Sequence, residues 1–277
     1  MKKTDASLLF IAGAALALSA CNMSDKYAAD SIAFNRVEMQ KSYRLDNSAA
    51  DYERPEDISY GCQASILMPT ALYGKPVEVL QDSILMTAFG TTGPDHARVI
   101  ADAMLREVKE LQYEVSDTVM PDSIVAEQPF LSRYDGFSSV EGDVETLTPR
   151  ILSYAVTSSQ YLPSAAHGMY GTRYINYDLE EGVIVTLKDL FTTEGLAELP
   201  QIIRSTAQQM KEVIGPTEIE SVPADDNFYL TAGGEIVFAY QPYEVASYAQ
   251  GEVQIPIPAY LLSQSLTPTG LRILLNQ

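Results

Sequence analysis

Apolar residues recur at every second position in some stretches of this chain and at every third or fourth in others, which sorts it into strands and helices. Between Ile32 and Leu45, Phe34, Val37, Met39, Tyr43 and Leu45 stand among polar neighbours and predict a first strand. Asp46 to Asp57 is acidic and holds Pro55, so it reads as a loop. Ser59 to Met68 is a second strand, with Ala64, Ile66 and Met68 on one face and Pro69 expected to end it. The period then changes. Pro76 occupies a natural first helical position, and Val77, Leu80, Ile84 and Ala88 share a helix face as far as Gly90. Pro94 opens a second helix, with Ala101, Met104, Leu105, Val108 and Leu111 at helical spacing. His96, in its first turn, is expected to be solvated helix surface.

Ser116 to Gln128 is irregular, and Pro121 and Pro129 punctuate it, so a boundary between two units is placed there. Beyond it the pattern is β. Val140–Leu147, Ile151–Tyr161, Tyr170–Asp178 and Val183–Leu187 are strands joined by short turns, as in an antiparallel meander. A helix is predicted over Pro200–Ile214, its stripe of Ile202, Ile203, Thr206, Met210, Val213 and Ile214 lying on the sheet. Asn227–Thr231 and Glu235–Tyr240 form a hairpin through Gly233-Gly234; strand Glu252–Ile257 and a short helix Ala259–Leu266 end the series. The fold class is α+β: an antiparallel sheet with a packed helix, plus a smaller N-terminal αβ unit. The expected organisation is residues 1–20 as a signal peptide, 21–30 as a tether, 31–128 as the N-terminal unit and 129–277 as the C-terminal domain.

The first 20 residues change the picture of location. Lys2 and Lys3 precede an apolar run, Leu8 to Leu18, too short to span a bilayer as a helix. It ends in Leu18-Ser19-Ala20-Cys21, which resembles a bacterial lipoprotein signal and implies cleavage after Ala20 and acylation of Cys21. The expected place is the cell envelope, extracytoplasmic and lipid-anchored at an outer membrane or cell surface. The chain carries −19, and beyond Ala20 the 16 basic and 36 acidic residues leave −20. Such a surface repels nucleic acid and draws cationic partners in a salt-sensitive way. The one other cysteine, Cys62, lies in an apolar strand and reads as a small core residue.

Templates for catalysis fail in turn. No Gly-x-Ser-x-Gly elbow is present, and two histidines about 70 positions apart with one free cysteine make no recognisable metal site. Gly233-Gly234 lacks the Lys-Ser/Thr of a phosphate loop, and Asp225-Asp226-Asn227 lacks the spacing of a calcium loop and reads as a turn. No cofactor, metal or catalytic residue is assigned. Ten of the 17 tyrosines, however, fall between Tyr154 and Tyr260. Tyr174 and Tyr240 alternate within strands; Tyr161 and Tyr170 flank the His167 turn, and Tyr243 and Tyr248 lie in the Pro242–Gly251 loop. Tyrosine gives a large amphipathic contact at low entropy cost, so His167, Tyr170, Tyr243, Glu244 and Tyr248 are the candidate binding residues.

Two motifs carry a resemblance. Ser164-Ala165-Ala166-His167-Gly168, then Tyr174-x-Asn176-Tyr177-Asp178-x-x-x-Gly182 and Leu187-x-Asp189-Leu190-Phe191, form the first. Val237-Phe238-x-Tyr240-x-Pro242-Tyr243-Glu244-Val245-Ala246-x-Tyr248-Ala249-x-Gly251, then Ile255-Pro256, form the second. Over about Tyr154–Leu266 the chain resembles a bacterial extracytoplasmic domain of unknown function. That domain forms the sensor of lysozyme-binding anti-sigma factors of the RsiV type and also adjoins peptidoglycan deacetylases. Ser59–Leu111 is similar to the unit that usually precedes it. The family commonly has two glycines in place of Ser164 and Ala165, and often proline in place of Ser247. No sigma-binding segment, transmembrane helix or deacetylase domain is recognised, so an anti-sigma role is not expected. The resemblance implies a non-catalytic envelope binding module for a lysozyme-like cationic protein or a cell-wall glycan. The alternatives are a peptidoglycan-modifying enzyme or accessory and a purely structural lipoprotein.

Overall fold

The computed structural model describes residues 31–46, 58–111, 114–116, 135–163, 165–210 and 219–275. The signal segment, the tether and Cys21 lie outside the described residues. β1 (Ile32–Asp46) and β2 (Ile58–Leu72) form a long antiparallel ribbon, Leu45 facing Ile58 and Ile32 facing Leu72. Tyr60, Cys62, Ala64, Ile66 and Met68 are all buried, as the two-residue period of a strand requires. β2 does not stop at Pro69 as expected. Between Ala33/Ala71 and Phe34/Pro69 the register shifts, leaving Thr70 as an extra residue. This bulge accommodates a residue without a ladder N–H inside the strand.

From β2 the chain climbs through α1 (Val77–Phe89) and α2 (His96–Glu110), runs through β3 (Glu114–Ser116) at the edge of β1, and returns as β4 (Gly136–Leu147). β4 lies parallel to β2, Tyr60 facing Gly136 and Ile66 facing Gly142. The sheet is therefore mixed where an antiparallel one was expected. Two neighbouring strands of the same direction need a long crossover, and the helix pair supplies it. β5 (Ile151–Tyr161), β6 (Met169–Asp178) and β7 (Val183–Val185) complete the sheet as an antiparallel meander, in the order β3-β1-β2-β4-β5-β6-β7. This one sheet takes strands from both sides of residues 128 and 129, where sequence places the division between units.

α1 and α2 cover one face. Leu80, Ile84 and Leu85 of α1 and Ile100, Met104 and Val108 of α2 pack with Ile66, Met68, Tyr154, Ile175 and Tyr177 of the strands. Each such side chain contributes roughly 1.5–3 kcal/mol on leaving water. Asp95 caps α2 by accepting the Arg98 N–H at 3.1 Å, and His96, half-buried, is its first residue. Glu107 locks α2 to three strands. Its carboxylate accepts from Tyr60 Oη and Ser138 Oγ, each at 2.9 Å, and from Gln160 Nε2 at 3.0 Å.

A second, three-stranded sheet has the order β10-β9-β8: β8 (Phe228–Leu230), β9 (Glu235–Tyr240) and β10 (Val253–Pro258), all antiparallel. α3 (Leu187–Leu190), α4 (Thr193–Gln209) and α5 (Pro268–Leu275) share its core. α4 is the helix expected over Pro200–Ile214, and it differs in bounds and in place. It begins seven residues earlier, where Thr192 accepts the Gly195 N–H at 3.0 Å, and it holds Pro200 in its interior. Its buried stripe is Leu199, Ile203 and Ala207, which packs into the core of the small sheet and not into the core beneath α1 and α2. The helix expected over Ala259–Leu266 is a single 3-10 turn, Ala259–Leu262. The regular helix is α5, which begins where Thr267 caps Gly270 and Pro268 takes the first position. No helix among the described residues is long and apolar enough to cross a membrane.

Candidate functional site

The two sheets are joined by side chains that stand in for a strand. β6 pairs with β5 along its whole length, but with β7 only at Asn176–Asp178. Along the rest of its outer edge the backbone groups of Thr172 and Tyr174 would be orphaned. Gln241 accepts the Thr172 N–H at 2.9 Å and donates back to Thr172 O at 2.7 Å. Asn227, 2% exposed, accepts the Tyr174 N–H at 2.9 Å and donates to Thr172 O at 2.9 Å and Ala239 O at 3.0 Å. Asn176 donates to Phe228 O at 2.9 Å, and Ser153 Oγ donates to Asn176 Oδ1 at 2.6 Å while accepting the Leu230 N–H at 3.1 Å. A carboxamide carries a donor and an acceptor in the spacing of a peptide group, so it can complete an edge.

This junction brings the β5–β6 turn against the loop between β9 and β10. The loop begins with a turn in which Glu244 N–H bonds Gln241 O at 3.0 Å. Pro242 is at its second position and Tyr243, with φ of 71°, at its third, the pattern of a type II turn with tyrosine where glycine is usual. Glu244 fixes the turn from within, its Oε1 accepting the Ala224 N–H at 2.6 Å and its Oε2 the Gln241 N–H at 2.8 Å. Tyr248–Gln250 forms a 3-10 turn capped by Ser247, whose φ of −67° is an angle that proline also adopts.

Four of the five candidate residues meet through their rings. His167 lies 4.5 Å from Tyr248 and 6.4 Å from Tyr243, centroid to centroid. Tyr243 and Tyr248 stack at 5.5 Å with planes 29° apart, and Tyr170 meets Tyr248 edge-on at 5.7 Å. Tyr170 and Tyr243 remain exposed, at 40% and 57%. His167 Nδ1 is 2.9 Å from Gly168 O, a carbonyl that can only accept, so Nδ1 carries the proton in the neutral ring. Nε2 then faces the Tyr243 hydroxyl at 3.4 Å as acceptor. Gly251, with φ of 74°, lies under Tyr170. A Cβ there would stand 2.8 Å from the Tyr170 hydroxyl, so any other residue would make that ring shift.

The fifth candidate, Glu244, presents both carboxylate oxygens to backbone N–H groups and thereby positions Tyr243. Tyr161 is not in the cluster: its hydroxyl donates to Ala165 O at 2.7 Å, and its ring stacks on Phe137 at 6.2 Å. Tyr240 also turns inward, donating to Ser221 O at 2.7 Å, and burial raises its hydroxyl pKa. Sequence reasoning missed Gln241, Asn227 and Asn176 as the residues that mount the site. Their signal was polar carboxamides next to or within strands. No group of three or more His, Cys, Asp or Glu among the described residues could hold a metal ion. The cluster offers instead a set of half-exposed aromatic faces with hydroxyl edges, suited to contact.

Comparison with known proteins agrees with the motifs. The anti-sigma-V factor RsiV of Bacillus subtilis (strain 168) is 27% identical over 180 residues, which cover 57% of this chain and 60% of RsiV. The chain thus spans about 60% of the length of this curated relative. A DUF3298 family protein from Bacteroides fragilis NCTC 9343 superposes with a TM-score of 0.67 at 21% identity, over 87% of this chain and 96% of that one. A DUF3298 family protein from Pseudomonas aeruginosa PAO1 gives a TM-score of 0.44 at 15% identity, over 85% and 95%. The family described as "Protein of unknown function (DUF3298)" matches residues 188–260, from α3 through the aromatic loop to the turn after β10. The chain therefore carries a DUF3298 match on its second motif and shares the α+β fold of that family.

Proposed function

We propose that this chain is a non-catalytic, lipid-anchored binding module of the cell envelope that recognises a lysozyme-like, cationic protein through the His167–Tyr170–Tyr243–Tyr248 cluster. The observation that carries it is the convergence of these four side chains, from the β5–β6 turn with the start of β6 and from the β9–β10 loop, on one partly exposed surface. Aromatic residues centred in a contact dominate protein recognition, and the −19 charge of the chain steers a cationic partner toward it. The similarity to an anti-sigma factor of RsiV type is the reason to choose a lysozyme-like partner over other basic proteins. Lipid attachment at Cys21 rests on the Leu18-Ser19-Ala20-Cys21 pattern.

The test is calorimetric titration of the chain with lysozyme at low salt. Binding is expected, with Tyr243→Ala or Tyr248→Ala each weakening it about 30-fold, the effect of losing an interface anchor of about 2 kcal/mol. Absence of binding removes the lysozyme-like partner. Binding unchanged in both variants removes the cluster as its site. Binding of muropeptides but not of lysozyme would transfer the same aromatic surface to a glycan.

A further inference from the structure

A second recess, of about 490 Å³, shares no residue with the aromatic cluster. It opens where α1, the β6–β7 pair and the Ala224–Asp226 turn meet. Its base is apolar, formed by Ile175, Ile184 and Phe228, and Met86 of α1, 53% exposed, stands on its wall. Its rim is acidic on both sides: Asp82 from α1, Asp225 and Asp226 from the turn. None of its lining residues is lysine or arginine. An apolar base beneath a rim of one charge fits a side chain with an aliphatic stem and a cationic head.

The protein itself shows which cation this turn accepts. Arg173, on β6, donates through Nη1 to Ala224 O at 3.0 Å and pairs through Nη2 with Asp225 at 3.1 Å. A planar guanidinium thus satisfies a carbonyl and a carboxylate of the turn together. Asp226 on the same turn, and Asp82 across the recess, have no cationic partner among the described residues and are exposed. These acids belong to no group of three or more that could hold a metal ion among the described residues, and carboxylates above an apolar base suit an organic cation with an aliphatic stem. We propose that the recess is a docking site for an arginine side chain presented by a protein partner. Its stem lies over Ile184 and Met86, and its guanidinium bridges Asp82 and Asp226 as Arg173 already does Ala224 and Asp225.

The experiment titrates the full chain, with methyl-labelled Met and Ile, with the peptide acetyl-Gly-Arg-Gly-amide. The control is acetyl-Gly-citrulline-Gly-amide, a neutral shape-mimic of arginine. The arginine peptide is expected to shift the Met86 and Ile184 methyl resonances in a salt-sensitive way, and the citrulline peptide at least about fivefold less. Asp82→Asn combined with Asp226→Asn, both at exposed positions, is expected to abolish the shifts and leave the rest of the spectrum in place. Tyr243→Ala with Tyr248→Ala is expected to leave them intact, which separates this site from the aromatic one. The proposal is overturned by equal shifts with citrulline, by shifts that survive the double Asp→Asn variant, or by none up to about 10 mM peptide.

Discussion

The carboxamide of Gln241 is hydrogen-bonded at both ends to the backbone of Thr172, accepting its N–H at 2.9 Å and donating to its carbonyl at 2.7 Å. The fit is close enough that a Cβ on the neighbouring Gly171 would fall 2.1 Å from Gln241 Oε1. Gln241→Ala leaves the Thr172 N–H without a partner and the Thr172 carbonyl with Asn227 alone, and is expected to cost about 2 kcal/mol. The check is a lower urea midpoint at unchanged denaturant slope. Gln241→Glu replaces the donor with an oxygen facing Thr172 O, so it should cost at least as much despite its shape. A variant series in which Glu is tolerated and Ala is not would refute the edge-pairing role.

The second relationship ties α5 to the β6–β7 turn. Asp178, 1% exposed, accepts the Glu180 and Glu181 N–H groups on Oδ1 at 2.8 and 3.1 Å and pairs with Arg272 through Oδ2. Arg272 also reaches Glu180 at 2.7 Å. Removing the guanidinium leaves a buried carboxylate with no countercharge. Arg272→Met is expected to destabilise by about 3–5 kcal/mol, whereas Arg272→Met with Asp178→Asn should recover a large part of that loss. Thermal unfolding of the two variants decides: a double variant no more stable than the single one would assign the loss to packing of the Arg272 stem.

The strands were legible because their alternation is local. Ile151–Tyr161 and Glu235–Tyr240 fall where the pattern of their own residues puts them. The meander from β4 to β7 and the hairpin of β8 and β9 were legible too, but sequence could not show which strands distant in the chain become neighbours. The parallel pairing of β2 with β4 joins segments about 75 residues apart and depends on two helices crossing one face. The helix read over Pro200–Ile214 erred for a related reason. Pro200 reads as a start signal, while the real start is the Thr192 cap, and nothing local distinguishes the small sheet from the large one as the surface beneath. At the site, His167 and the loop tyrosines stood out as aromatic residues in loops. Tyr161 stood out equally, yet folds back on Ala165, since the choice between bracing a turn and facing solvent is made by three-dimensional neighbours. The residues that hold the loops, Gln241 and Asn227, bear ordinary side chains whose role exists only once β6 has an open edge.

Alkaline pH offers a test of the large core. Burial, with Glu107 nearby, pushes the Cys62 thiol from 9.0 up to about 12. Burial likewise pushes the Tyr43 hydroxyl from 10.0 up to about 12, with Cys62 and Glu107 adding to it. Both groups are held neutral in the fold and ionise more readily in the unfolded chain. Their contribution is therefore complete below about pH 9 and is lost as pH rises from there through about 12. Stability is expected to fall across that window, and Cys62→Ala should reduce the slope by up to one proton, about 1.4 kcal/mol per pH unit. The folded Cys62 thiol should also resist a thiol-reactive dye at about pH 8. Rapid labelling there, or a slope indifferent to Cys62→Ala, would contradict the buried neutral thiol.

Tyr243 holds its ring against His167 from a backbone that favours other residues. At φ of 71° a side chain with a Cβ is uncommon, and the cost is of order 1 kcal/mol where glycine or asparagine would sit at ease. The neighbouring contacts maintain it: Glu244 clamps the turn, and the Tyr243 hydroxyl meets His167 Nε2. Such an outlier is informative because it can be separated into its backbone and side-chain parts. Tyr243→Gly and Tyr243→Asn are expected to be at least as stable as Tyr243→Ala, the reverse of the order that glycine and alanine show in most positions. All three should weaken lysozyme binding to the same extent, since each removes the ring. Unfolding midpoints and calorimetric affinities measured on the three proteins give both answers. If alanine is the most stable, the left-handed turn is not a source of strain; if glycine alone retains affinity, the loop backbone and not the tyrosine ring makes the contact.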